Sequence, residues 1–228
     1  MTALALLLAT ALLMGALHAF DPDHLAAVTA FIARRPSRHA AVGFALRWGL
    51  GHSATLFLVG MACILLRLTV TADLETAAEA AVGVTLIGVG VWVLCGLWRG
   101  TLLLEPHAHP EGHHTHLHTP GHGTRRHHHA VFWIGALHGL AGTAGFLVLV
   151  PIALTQTPLG VLSYIAAFSI GVTAAMMLYA LAAGGVLQRI AAGRSQRWYP
   201  WLAGAAGCAS LGLGLIWMGR ILFGAGTV

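Results

Sequence analysis

Apolar residues run through this chain in six stretches, 3–31, 41–67, 76–98, 131–155, 159–187 and 200–223, separated by short segments in which arginine, histidine, glycine and proline collect. About 20 apolar helical residues cross a hydrocarbon core, so each stretch is read as one transmembrane helix. The first is interrupted. Pro22 has no N–H and crowds the carbonyl four residues back, so the helix is expected to open at His18 and leave that carbonyl facing a cavity. The N-terminal run lacks the basic flank of a secretory signal, and a cut behind Leu17-His18-Ala19 would remove His18, so it is read as a retained span.

Composition points the same way. With 57% hydrophobic and 8% charged residues and a mean hydropathy of +0.80, there are too few charges to cover a soluble globule, which makes the chain an integral membrane protein. The pI near 9.9 comes from arginine alone, because the sequence has no lysine. Arg34, Arg35, Arg38, Arg99, Arg125, Arg126, Arg189, Arg194 and Arg197 follow the first, third and fifth stretches, whereas the alternate loops have only Arg67 and Arg220, with Asp73, Glu75 and Glu79 beside them. That asymmetry predicts both termini outside a bacterial-type cytoplasmic (inner) membrane and the long third-to-fourth loop in the cytoplasm. It accounts for the basic charge without a nucleic-acid partner; the lipid bilayer is the partner it implies. Cys63, Cys95 and Cys208 stand in three separate apolar stretches with no C-x-x-C pair, so packing is their reading.

The chain also repeats itself. Gly15-Ala16-Leu17-His18 returns 120 residues later as Gly135-Ala136-Leu137-His138, and the same spacing carries Phe44 onto Tyr164, Gly51 onto Gly171 and Ser53 onto Thr173. Gly88-Val89-Gly90 is echoed by Gly212-Leu213-Gly214. Three spans per half is an odd number, so the second half must cross the membrane upside down. The predicted fold is therefore an all-α integral membrane protein of six transmembrane helices in two inverted three-helix repeats, 1–99 and 131–228, joined by a histidine-rich loop, 100–130.

The chemistry gathers in the first stretch, where His18, Asp21, Asp23 and His24 place four ionisable groups within seven residues. Such groups are costly at membrane depth and normally line an ion path; a Pro-kinked helix with hydrogen-bonded polar groups is the plainer alternative. Imidazole with carboxylate suits a divalent transition ion better than Mg²⁺ or Ca²⁺, which favour oxygen shells. In the second stretch, Trp48-Gly49-Leu50-Gly51-His52-Ser53-Ala54-Thr55 offers His52, with the Ser53 and Thr55 hydroxyls available to orient its ring. In the fourth, His138 leads a Gly- and Thr143-containing run that suits an opened helix, and on sequence alone it stands equally as ligand or packing residue. The metal site is thus expected from His18, Asp21, Asp23, His24, His52 and His138, with the acids all from the first half.

The loop holds ten histidines among residues 107–129: His107, His109, His113, His114, His116, His118, His122, His127, His128 and His129. It has almost nothing apolar to bury and is expected to be disordered without metal. Without cysteine it is no zinc-finger framework, and its imidazoles read as auxiliary, exchangeable metal sites.

At His18, Ala19, Phe20, Asp21, Pro22, Asp23 and His24 the chain resembles the nickel/cobalt transporter family, whose hallmark is a histidine, four residues, then Asp-His in a membrane helix. Leu50-Gly51-His52-Ser53 resembles a second signature of that family, and His138-Gly139-Leu140-Ala141-Gly142 resembles its compact urease-accessory, UreH-like branch. Two features depart from the larger permeases of the family: six spans stand in place of eight, and their later Asp/Thr/Glu signature is absent. The resemblance implies a secondary transporter (permease) for nickel, with cobalt a second substrate, and leaves uptake or efflux open. A membrane-anchored accessory protein delivering nickel to a metalloenzyme, with nickel accessory proteins as partners, is the alternative. No Gly-x-x-x-x-Gly-Lys-Ser/Thr loop is present, no resident cofactor is expected, and no enzyme is read, since no general base accompanies the cluster.

Overall fold

A computed structural model describes residues 3–34, 36–66, 71–100, 105–109, 112–116, 127–141, 157–193 and 195–224. Its helices are α1 (Ala3–His18), α2 (Pro22–Arg34), α3 (Arg38–Leu66), α4 (Ala72–Trp98), α5 (His127–Leu140), α6 (Pro158–Ala192) and α7 (Tyr199–Gly224). Among the described residues, three stretches are long and apolar enough to cross a membrane: Ala72–Trp98, Pro158–Ala192 and Gln196–Gly224. The pair α1 and α2 makes a fourth when taken as one broken span bent by 56°. The second expected stretch falls on α3, and the fourth begins as α5, with its continuation outside the described residues.

The break between α1 and α2 is built locally. Asp21 accepts from Leu25 N–H at 3.1 Å, and Pro22 opens α2, where a missing N–H costs nothing. The His18 carbonyl is not left free as expected, because it accepts from Asp21 N–H at 3.0 Å and the turn absorbs it. Elsewhere α4 starts on Thr71, whose hydroxyl accepts from Leu74 N–H at 3.4 Å, and α6 starts on Thr157 with Pro158 behind it.

The arginine-bearing helix ends gather at one end of the bundle. The Arg34 guanidinium lies 4.0 Å over the Trp92 ring and donates to the Trp92 carbonyl at 2.8 Å, tying the end of α2 to the end of α4. Arg38 N–H donates to Gln188 Oε1 at 3.3 Å, which brings the start of α3 to the end of α6. Tyr199 O–H donates to the Ala33 carbonyl, and Ser210 Oγ donates to the Leu86 carbonyl at 2.9 Å, so α7 is keyed to α2 and α4.

The closest helix contacts obey the sequence repeat. A Cβ on Gly15 would fall on the Phe168 carbonyl oxygen, and one on Gly135 would fall on that of Trp48. Likewise Gly51 abuts Phe132 and Ala136, while Gly171 abuts Leu12 and Ala16. In each pair, moving the first-half residue of one contact forward by 120 and its second-half partner back by 120 gives the other. The helices α4 and α7 cross in the same reciprocal way, Gly90 against Gly207 and Leu211, Gly214 against Gly83 and Ile87, here at a spacing of 124. Small residues let the backbones meet in this way, which is how helices associate where apolar burial offers no gain over lipid.

The histidine-rich segment departs from expectation where it is described. Glu105–His109 and Gly112–His116 pair as an antiparallel two-stranded hairpin with His107 opposite His114, so the elements among the described residues are helical apart from this one. A hairpin satisfies its backbone polar groups by pairing and needs no core to do so. His127, His128 and His129 belong to the first turn of α5 rather than to a loop, while His118 and His122 lie outside the described residues.

Candidate metal centre

The break at Pro22 turns two faces of one span toward a single point. His18 ends α1, and Asp23 and His24 lie in the first turn of α2. His52 comes from the middle of α3 and His138 from near the end of α5. Asp23, His24, His52 and His138 are all buried. The His24 ring centroid stands 4.7 Å from that of His18, 5.5 Å from that of His52 and 5.5 Å from that of His138. Four imidazoles from four helices therefore share one space, and all six predicted site residues stand in or beside it.

Ligand atoms of His18, His24 and His52 lie within 4.8 Å of one another. Metal–nitrogen bonds of about 2.1 Å put ligands at most about 4.2 Å apart, so a small rotation of the rings closes them on an ion. Both nitrogens of His52, and Nε2 of His24 and of His138, have no hydrogen-bond partner among the described residues, while His24 Nδ1 faces the Asp23 carboxylate. Buried polar atoms left this way are expensive unless something else satisfies them.

The carboxylates have distinct places. Asp23 Oδ2 lies 3.0 Å from His24 Nδ1 and 4.0 Å from His138 Nε2, so a buried negative charge sits among the rings. His138 Nδ1 lies 2.8 Å from the Ile134 carbonyl, an acceptor only, which places the proton on Nδ1 and turns the Nε2 lone pair toward Asp23. Its ring thus stands with the other three, while the ligand atoms that lie within 4.8 Å of one another are those of His18, His24 and His52. Asp21 Oδ2 stands 2.7 Å from His18 Nδ1 with its side chain 42% exposed, so it holds the His18 ring from the rim. The hydroxyl role foreseen for Thr55 is not found, since Thr55 Oγ1 donates back to the Gly51 carbonyl at 3.3 Å. Thr143 lies outside the described residues.

A cavity of about 380 Å³ adjoins the rings, lined by His18, Asp21, Pro22, Asp23, His24, Glu79, Ala141 and Trp217. Glu79 was read from sequence only as an acid flanking a loop. It lies two turns into α4, and the packing of α4 beside α2 and α5 is what brings it to this cavity.

No family model matches the chain, and no solved structure does. The urease accessory protein UreH of Bacillus sp. (strain TB-90) is 27% identical over 177 residues, covering 73% of this chain and 71% of that protein. The UreH-like resemblance carried by the histidine motifs thus extends over most of the chain, which is similar throughout that length to a curated urease accessory protein.

Proposed function

We propose that the chain is a secondary transporter moving a divalent transition ion, nickel with cobalt as a second substrate, across the cytoplasmic membrane. The observation that carries this reading is the meeting of four imidazoles from α1, α2, α3 and α5 around a buried carboxylate, with ring nitrogens left unpaired among the described residues. His18, His24, His52 and His138 offer nitrogen ligands, Asp23 offsets the ion's charge, and Asp21 orients His18. An intramembrane site of this chemistry has no structural purpose as economical as an apolar core.

The reciprocal glycine contacts support a pseudo-two-fold between halves, and with α3 and the apolar stretch 131–155 read from the sequence they suit six spans in inverted repeats. Nickel movement into or out of proteoliposomes, measured with ⁶³Ni under an imposed pH gradient against other divalent ions, tests transport and reads its direction. The second reading, a membrane-anchored accessory protein passing nickel to a metalloenzyme, is favoured by the similarity to a urease accessory protein. Metal binding without any protein-dependent flux in the same vesicles would decide for it.

Glu79 enters this reading as an acid that concentrates cations beside the site. Clefts of one charge raise local ion concentration by about tenfold or more, so Glu79→Gln should raise the nickel concentration for half-maximal flux by up to about tenfold and leave maximal flux near wild type. Initial-rate measurements over a nickel series check it; an unchanged half-saturation would remove Glu79 from the path.

The histidine tract is proposed as a cytoplasmic capture segment rather than part of the obligatory pathway. Replacing residues 107–129 by a short Gly/Ser linker should eliminate most metal bound per chain and retain flux at saturating nickel, with a moderate loss at low nickel. Equilibrium dialysis and flux on the same preparation test this. Complete loss of flux in correctly inserted protein would make the tract obligatory.

A further inference from the structure

Two aromatic side chains flank the imidazoles from opposite directions. Trp48 lies on α3 one turn nearer the arginine-rich end than His52, and its ring stacks on His52 at 5.1 Å with an interplanar angle of 17°. The same ring stands edge-on to His24 at 4.7 Å and to His138 at 5.6 Å. Phe168, 120 residues further on, lies on α6, which runs toward the arginine-rich end; there it sits on the opposite side of its helix's central glycine, Gly171, and packs on His18 at 5.4 Å. Trp48 against His138 and Phe168 against His18 are one contact written twice under the repeat, just as the backbone carbonyls of the same two residues receive Gly135 and Gly15.

We propose that Trp48 and Phe168 are the paired positioning walls of the ion site, Trp48 separating it from the arginine-rich face of the membrane and Phe168 flanking it toward the other face. The proposal rests on the transport reading above. Trp48 is completely buried, and its Nε1 has no hydrogen-bond partner among the described residues, so ring contacts with three of the histidines hold it rather than a polar anchor. A wall held by stacking can swing aside without leaving a broken hydrogen bond, whereas a hydrogen-bonded indole would resist. On the other face lies the 380 Å³ cavity that reaches His18 and His24, so in this conformation the barrier stands on the Trp48 side.

The test is sided accessibility, which does not depend on transport. Full-length protein lacking Cys63, Cys95 and Cys208 and carrying His52→Cys is reconstituted, and a membrane-impermeant methanethiosulfonate is applied to the arginine-rich face. With Trp48 in place the introduced thiol reacts only through a minor open state; Trp48→Ala should raise the rate about tenfold or more, the factor set by a minor state of a few per cent. Trp48→Phe should restore protection, and Phe168→Ala should leave this rate unchanged. General loosening of the bundle would instead raise the rate in both alanine variants, and that result overturns the proposal, as does an unchanged rate in Trp48→Ala. Failure of wild-type nickel flux with the expected labelling pattern would overturn the transport reading and leave the wall standing.

Discussion

Alanine in place of His24 or His52 should abolish nickel flux and weaken nickel binding at the membrane site by more than about a hundredfold, while the protein still inserts and purifies as wild type. Loss of groups that merely orient metal ligands already costs about 10- to 100-fold in affinity, and these rings are placed to bind directly. The expectation of intact folding has a specific ground. The His52 ring has no hydrogen-bond partner among the described residues, so its truncation breaks no polar contact and leaves only a small cavity, and His24 loses only the 3.0 Å contact of its Nδ1 with Asp23, beside which His138 remains. The His138→Ala protein is the instructive contrast, because it also removes the side-chain hydrogen bond to the Ile134 carbonyl and should lose stability as well as metal. Isothermal titration with nickel on protein lacking residues 107–129, beside flux in vesicles, separates the membrane site from the tract. Near-normal flux in both His24→Ala and His52→Ala would sink the site assignment.

The parts of this site that were legible in the sequence are those whose chemistry conflicts with their surroundings. His18, Asp21, Asp23 and His24 stand out in an apolar helix because nothing about packing requires them there, and Pro22 announces the break that turns them inward. His138 could be joined to them through the repeat, which equates it with His18, and His52 through its place among glycines and hydroxyls inside an apolar stretch. Glu79 was hidden for the opposite reason. An acid near a helix start beside Asp73 and Glu75 conforms to ordinary helix-end chemistry, and only the packing of α4 against α2 and α5 turns it to the cavity. Trp48 was hidden because an aromatic ring in an apolar stretch is indistinguishable from core until its neighbours are known to be histidines. The hairpin in the histidine tract escaped prediction because its strands alternate no apolar face, the signal on which strand reading depends.

The reciprocal contacts make the repeat testable through stability. Gly51→Ala and Gly171→Ala, one substitution written in each half, should each strongly destabilise the protein. Their added Cβ atoms would fall on the carbonyl oxygens of Phe132 and Leu12, which are helix backbone and cannot swing away as a flexible side chain could. Overpacking a fitted interface costs about 1–3 kcal/mol even where side chains can adjust, so separation of α3 from α5, or of α1 from α6, is the only relief. Gly88→Ala and Gly212→Ala form the matched control, because a Cβ at either meets nothing within 4 Å among the described residues. Both lie inside long helices, α4 and α7, where alanine is better than glycine by up to about 1 kcal/mol. Thermal unfolding in detergent, followed by the loss of monodisperse protein, should therefore show two early-melting variants and two at or above wild type. Equal melting of Gly51→Ala and wild type would mean that α3 and α5 do not touch at this glycine, and the pseudo-two-fold drawn through Gly51 and Gly171 would fall with it.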